Sequence, residues 1–417
     1  MMRHLLILIV FALFAQGAAK AKLPIEITDE TYILAALDAQ VRKKHILASH
    51  YFEFLYLKTG KKEYLYSSLR MYESANDMAA FSKATEAALA QSPEDKILLR
   101  FHIIALLKEG KYSEASHKAL VLSEKTKEAS DYLLSGESLL KLGNYLGSYG
   151  ELKKAYDITY DEETAERMAL IMYTQLDQKQ EAIHFLKKHI GTHGNSKILG
   201  KRLGSLYADS GALEDAAEMY ETTYEFSNDP VIAQEAVKIY VYQQNRQKLK
   251  VLLEKSGVND LLLLELYVRD KQFQKASALA LKLYKSEANP LYLAQSSVFA
   301  YESAPDQKDA LLLKEVVEGL KQANEQIEDP IYLNYLGYLM IEHDLNVTEG
   351  MEYVRRALVK QPDSPFYIDS LAWGYYKKGE CTEALRLMKQ VESMIGTDEA
   401  EVKEHIKAIE KCKTKEK

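Results

Sequence analysis

The scarce reactive side chains of this chain are ten histidines and two cysteines. His184, His189 and His193 form the densest histidine group. Imidazoles hold a metal only when several converge on one point. His184 and His189 are five residues apart, so they diverge on a helix, and His193 follows beyond Gly191. His45 and His50 share the same unfavourable spacing. Both groups read as solvated helix faces, and no metal ligand is assigned. Cys381 and Cys412 have no neighbouring histidine pair and cannot fill a zinc shell.

Motifs for other chemistry are equally thin. The sequence contains no His-Glu-x-x-His and no Gly-x-Ser-x-Gly. Gly194 to Arg202 approximates a phosphate loop, but its glycine spacing is off by one and Arg202 stands where Ser or Thr is needed. Carboxylates are abundant, yet none forms an isolated pair in an apolar setting, as acid–base work requires. Asp344-Leu345-Asn346-Val347-Thr348 fits an N-glycosylation acceptor at Asn346, a short match of a kind that often arises by chance. The expectation is a non-catalytic protein without cofactors, the rival being an enzyme whose site is too dispersed to recognise.

Composition narrows the class. Of 417 residues, 47% are hydrophobic and 28% charged, an ordinary globular balance. Gly at 19 and Pro at 8 are scarce, which suits helices and disfavours a loop-rich fold. The net charge of −7 offers no basic face, so nucleic acid is not an expected partner. Met1-Met2-Arg3-His4, the apolar run Leu5 to Phe14 and the small residues Gly17, Ala18, Ala19 and Ala21 read as a secretory signal peptide, residues 1–19, with cleavage placed after Ala19. The run is shorter than the roughly 20 residues that span a bilayer, and no later segment replaces it.

The elements that must position everything else are repeated helix pairs. An apolar helix carrying a small residue is followed by a polar turn, often with Gly, and then by a second helix opening with Ala. The clearest copy runs from Ile368 to Leu385, with Ala372, Trp373, Gly379 and Ala384; another runs from Leu203 to Ala216. The small residue of the second helix recurs at Ala115, Ser148, Ala182 and Ala216, at spacings of 33, 34 and 34. It resumes at Ala276, Ala310, Gly350 and Ala384, at spacings of 34, 40 and 34. The gap between Ala216 and Ala276 leaves room for one degraded repeat around Ile232 to Gly257. The spacing of 40 implies an insertion around His343 to Thr348. Small residues let paired helices approach closely, and no pair buries its apolar face alone, so pairs must stack. The two cysteines fit this scheme. A turn at Gly396 separates two helical segments of matched length, which brings Cys381 and Cys412 to the same end. A disulfide pinning a capping helix competes with two unrelated buried thiols.

Period, small-residue spacing, Gly turn and Glu-Ala helix start together resemble the tetratricopeptide repeat. Leu333-Asn334-Tyr335-Leu336-Gly337-Tyr338, with Gln361-Pro362 and Asp369-Ser370-Leu371-Ala372-Trp373, looks like the C-terminal repeats of exported bacterial members. The resemblance covers residues 93–394. It implies an all-α, right-handed α-solenoid. Helical periodicity of its own makes 22–92 a stretch of divergent helical repeats, and the helical segment after Gly396 reads as a capping helix at 396–413. In this family the first helix of each pair lines a concave face. Carried over, the register presents Asn334, Tyr338 and Ile341, then Asp369, Trp373 and Tyr376, to a protein partner, while packing between helices is the competing role for Trp373. The Lys/Asn carboxylate clamp of the best-known members is absent. The implied function is a periplasmic scaffold or adaptor for envelope proteins in a Gram-negative bacterium, or else a structural subunit of a flagellar, secretion or polysaccharide-export machine.

Overall fold

A computed structural model describes residues 28–396 and 400–413. The signal peptide expected at residues 1–19 lies outside the described residues, as do Thr397, Asp398 and Glu399 of the expected turn. The described residues contain 23 helices and no strand. The chain divides into two compact units, residues 1–212 and 213–417.

The first unit holds α1 (Asp29–Val41), α2 (His45–Thr59), α3 (Lys62–Ser74), α4 (Met78–Gln91), α5 (Lys96–Lys108), α6 (Tyr112–Thr126), α7 (Ala129–Leu142), α8 (Tyr145–Thr159), α9 (Glu162–Thr174), α10 (Lys179–His193) and α11 (Lys197–Asp209). The odd-numbered helices start 33 to 35 residues apart. This period reaches back to Asp29, well before residue 93. The second unit holds α12 (Leu213–Ser227), α13 (Pro230–Tyr242), α14 (Arg246–Ser256), α15 (Asp260–Arg269), α16 (Phe273–Glu287), α17 (Pro290–Glu302), α18 (Ala310–Ile327), α19 (Pro330–Glu342), α20 (Val347–Lys360), α21 (Pro365–Lys377), α22 (Cys381–Ile395) and α23 (Ala400–Lys413). The degraded repeat is α13–α14, whose second helix has only 11 residues.

Local chemistry sets these boundaries. Asp95, Asp161, Ser196, Asp229, Asn289 and Asp329 precede odd-numbered helices and accept backbone N–H bonds from their first turns. Pro230, Pro290, Pro330 and Pro365 occupy the first helical position, where a missing N–H costs nothing. A left-handed residue closes the turn within most pairs: Gly110, Gly143 and Gly379 in three of them, but Lys43, Asn76, Asp177, Gln244, Lys271 and Asp344 in others.

Small residues mark the close contacts. Ser148 Oγ donates to the Gly136 carbonyl at 2.8 Å, joining α7 to α8. A Cβ on Gly337 would sit 2.5 Å from the Gly350 carbonyl oxygen, and one on Gly350 would sit 2.7 Å from that of Gly337. Ala372 and Ala384 are fully buried between α21 and α22. The 40-residue spacing has a different origin from the one expected. The connection at His343 to Asn346 is an ordinary short turn. The extra residues lie in the 303–309 loop and the 18-residue α18. Ala310 is the exposed first residue of that helix, and the small residue facing α17 is Gly319, opposite Ser297.

Candidate protein-binding face

The odd-numbered helices carry most of the polar side chains that bridge one pair to the next. In the first unit Arg100 on α5 reaches α7, donating to both carboxylate oxygens of Asp131 at 2.6 and 2.7 Å. Asp131 is fully buried, and Thr126 donates a third bond to it at 2.6 Å. Arg202 on α11 donates through two nitrogens to Glu166 on α9. Tyr173 on α9 donates to Asp209 on α11 at 2.6 Å, and burial together with that carboxylate pushes its phenol up to about 12. Tyr66 donates to Asp95 at 2.7 Å and is likewise pushed up to about 12, by burial first and the carboxylate second.

In the second unit the same rungs continue. Tyr335 on α19 donates to Glu302 at the end of α17, 2.6 Å away. Trp373 on α21 donates its indole N–H to Glu342 at the end of α19, 2.7 Å away. The final rung is made by α23. His405 Nδ1 lies 3.0 Å from both carboxylate oxygens of Asp369, and both residues are buried. The His405 ring stacks on Trp373 with centroids 4.1 Å apart and 15° between planes. Tyr376 also stacks on Trp373, at 4.7 Å, and Tyr338 stands 6.2 Å from His405. Cys381 and Cys412 are joined by a disulfide, with Cα atoms 5.9 Å apart.

Of the residues expected to line a partner groove, Tyr338, Asp369, Trp373 and Tyr376 are brought together, but around the chain's own helix. Asp369 and one face of Trp373 are covered by His405. Tyr338 is half-buried beside His405, and Tyr376 is half-buried against Trp373. Asn334 is half-buried, with its carbonyl oxygen enclosed and without a hydrogen-bond partner. Ile341 is fully buried in the core with Met351, Val354 and Leu371, so it does not face a groove. His405 was not anticipated; the signal for it in the sequence is the helical spacing of Val402, His405, Ile406 and Ile409.

The histidine group departs from its expected place. The helix α10 runs through Gly191 to His193, so His189 and His193 are one turn apart on one face. His189 is 4% exposed rather than solvated. It shares a 2.6 Å hydrogen bond with the Tyr156 hydroxyl, and His193 stacks on Tyr160. Burial, then the neighbouring His193, holds the His189 imidazole below its ordinary value. His184 is exposed as expected. Asn346 is exposed and caps α20: its carbonyl accepts from the Glu349 N–H at 3.1 Å, and its amide donates to the Glu349 carboxylate at 3.0 Å. Ser196 is the N-cap of α11, so the Gly194 to Arg202 segment is an ordinary helix start. Among the described residues no three His, Cys, Asp or Glu side chains converge as metal ligands would.

The second unit also carries an unanticipated pattern. The second residue of four odd-numbered helices is apolar and exposed: Val231 (55%), Leu261 (49%), Ile331 (60%) and Phe366 (57%). Leu291 holds the same position in α17 and is half-buried. The first position of these helices is fixed by proline or aspartate, so the next side chain is directed outward at each helix start. The sequence signal is the dipeptide Pro-apolar at Pro230, Pro290, Pro330 and Pro365, with Asp260-Leu261 in its place at α15.

No protein-family model matches the chain, and no curated protein matches it. Among solved structures it is similar to a hetero-tetramer of the APC/C, at 11% identity and a TM-score of 0.37, covering 93% of this chain and 99% of that one. A tetratricopeptide repeat protein from Parabacteroides merdae is 15% identical with a TM-score of 0.40, covering 57% of this chain and 96% of that one. A thermophilic tetratricopeptide repeat protein from Thermus thermophilus is 17% identical with a TM-score of 0.33, covering 43% of this chain and 100% of that one.

Proposed function

We propose that this chain is a non-catalytic tetratricopeptide-type scaffold, exported to the periplasm of a Gram-negative bacterium, that binds another envelope protein during cell-envelope assembly. The observation that carries the binding reading is the row Val231, Leu261, Ile331 and Phe366. Scattered single apolar residues on a surface need no explanation. Four exposed apolar side chains at one position of the stacked odd-numbered helices, interrupted only by the half-buried Leu291, are patterned rather than scattered, and exposed apolar surface of that kind marks interaction sites. The polar side chains that bridge successive odd-numbered helices support the same view, since they are consumed in holding the helices together. The exported location rests on the signal-peptide pattern of residues 1–19.

A crosslinking capture from the native envelope tests this reading, comparing the wild type with Ile331→Asp/Phe366→Asp. Both side chains are exposed, so the variant should keep the wild-type melting temperature within a few degrees. The expected result is a partner recovered by the wild type and reduced at least tenfold by the variant. Equal recovery would move the binding face elsewhere. Recovery of the chain in the cytoplasmic fraction would overturn the exported reading.

A further inference from the structure

The last helix sits on the second unit in the manner of a bound ligand. Its buried side chains are Val402, His405 and Ile409, with Ile406 half-buried, a spacing of i, i+3, i+4 and i+7. That is the stripe by which an amphipathic helix enters a groove. Lys403, Glu404, Lys407 and Glu410 point to solvent. The receiving surface is specific as well as apolar. Leu371, Leu387, Met388 and Val391 belong to the same buried apolar core as Val402 and Ile409. Asp369 takes the imidazole N–H, and Trp373 takes the ring face. A cap that only shielded an open end from water would need the aliphatic contacts alone. The buried carboxylate and the stacked indole recognise a histidine.

We propose that this groove on α21 and α22, flanked by Tyr338 of α19, is a receptor for amphipathic helices bearing an aliphatic–His–aliphatic stripe. The resident occupant is α23, and the Cys381–Cys412 bridge decides whether a partner's helix can replace it. The bridge joins the first residue of α22 to the penultimate residue of α23, so it holds the occupant at one end. While it is closed, a competing helix meets an occupant tethered at both ends. Reduction to two thiols, with a dithiol reductant oxidised to its own disulfide, leaves α23 held by the chain on one side only. A competing helix then meets an occupant held by a single covalent connection rather than two. Cys381 is buried and Cys412 half-exposed, so exchange begins at Cys412. This proposal deepens the binding reading, but uses a surface separate from the apolar row, so either can fail alone.

The test is a fluorescence-anisotropy titration of the full chain with a labelled peptide of residues 400–413 carrying Cys412→Ser. Trp373 is the only tryptophan in the chain, so its emission reports the groove directly. The expected result is binding to the reduced chain at least tenfold tighter than to the oxidised chain. A chain carrying Cys412→Ser and Ile409→Asp, which weakens the resident helix, should bind the peptide more tightly still and show Trp373 emission restored on saturation. A peptide carrying Ile409→Asp should not bind. Equal binding to oxidised and reduced chains would place the peptide elsewhere and overturn the proposal. Failure to bind both the reduced chain and the Cys412→Ser/Ile409→Asp chain would make α23 a fixed cap and overturn it too.

Discussion

His189 shows how a single buried side chain couples stability to pH. Burial comes first among the causes that hold its imidazole below the ordinary value, and the same cause acts on His102 and His343. With the folded-state value depressed, the unfolded chain takes up protons first as pH falls. Stability is therefore complete above the unfolded value of about 6.5 and is lost as pH drops through it toward the folded values. The midpoint of urea unfolding should fall between pH 7.5 and pH 5.5, and His189→Gln should fall less steeply; a midpoint that rises on acidification would refute the account. Glycines give a second contrast at this scale. Gly337 and Gly350 meet backbone to backbone, and Gly337→Ala should cost about 1–3 kcal/mol because the added methyl must push two helices apart. Gly191 lies inside α10 with open space around it, and Gly191→Ala should gain about 0.5–1 kcal/mol through helix propensity. Thermal melts of the two variants should shift in opposite directions.

Between elements, the decisive features are turns and rungs. A left-handed backbone costs a non-glycine residue about 1–2 kcal/mol, which glycine avoids. Turns holding Gly110 and Gly379 were legible in the sequence for that reason. The equivalent turns at Lys43 and Asn76 adopt the same conformation without a glycine, which is why the repeat is faint before residue 93, and Gln244 does the same in the degraded repeat. The inserted segment was misplaced by a related cause: Ala310 has the right residue type but no helix against it. Rungs between odd-numbered helices were invisible because their partners lie about one repeat apart. The strongest is Arg100 with Asp131. Removing Arg100 leaves a fully buried carboxylate without its cation, so Arg100→Ala should cost about 3 kcal/mol. Replacing both, as Arg100→Met/Asp131→Leu, should cost clearly less than the single change. A double-mutant cycle by urea denaturation measures the difference, and additive losses would show that the rung contributes little.

At the scale of the assembled repeats, the all-helical class and the period follow from pattern alone, because every pair must bury a small-residue seam. The site does not follow in the same way. Asn334, Tyr338, Asp369, Trp373 and Tyr376 were read from helix register, and register says which residues share a face without saying what covers them. The covering residue, His405, is 36 positions from Asp369. Its helix could be read from the spacing of Val402, Ile406 and Ile409, but not its preference for a carboxylate and an indole. Stacked repeats also carry a mechanical consequence. Each pair touches mainly its neighbours, so stability is close to a sum of pair and interface contributions rather than one cooperative quantity. A disturbance should therefore stay local. Within the second unit, Gly337→Ala strains the α19–α20 seam, whose core is shared with α17, α18, α21, α22 and α23. Backbone amides in α17 to α22 should exchange with deuterium several-fold faster than in the wild type. Those in α13 and α14, which do not contribute to those two cores, should keep their wild-type rates. Uniform acceleration from α13 to α22 would show that the unit opens as a whole, and a local strain would then be felt by every surface it presents.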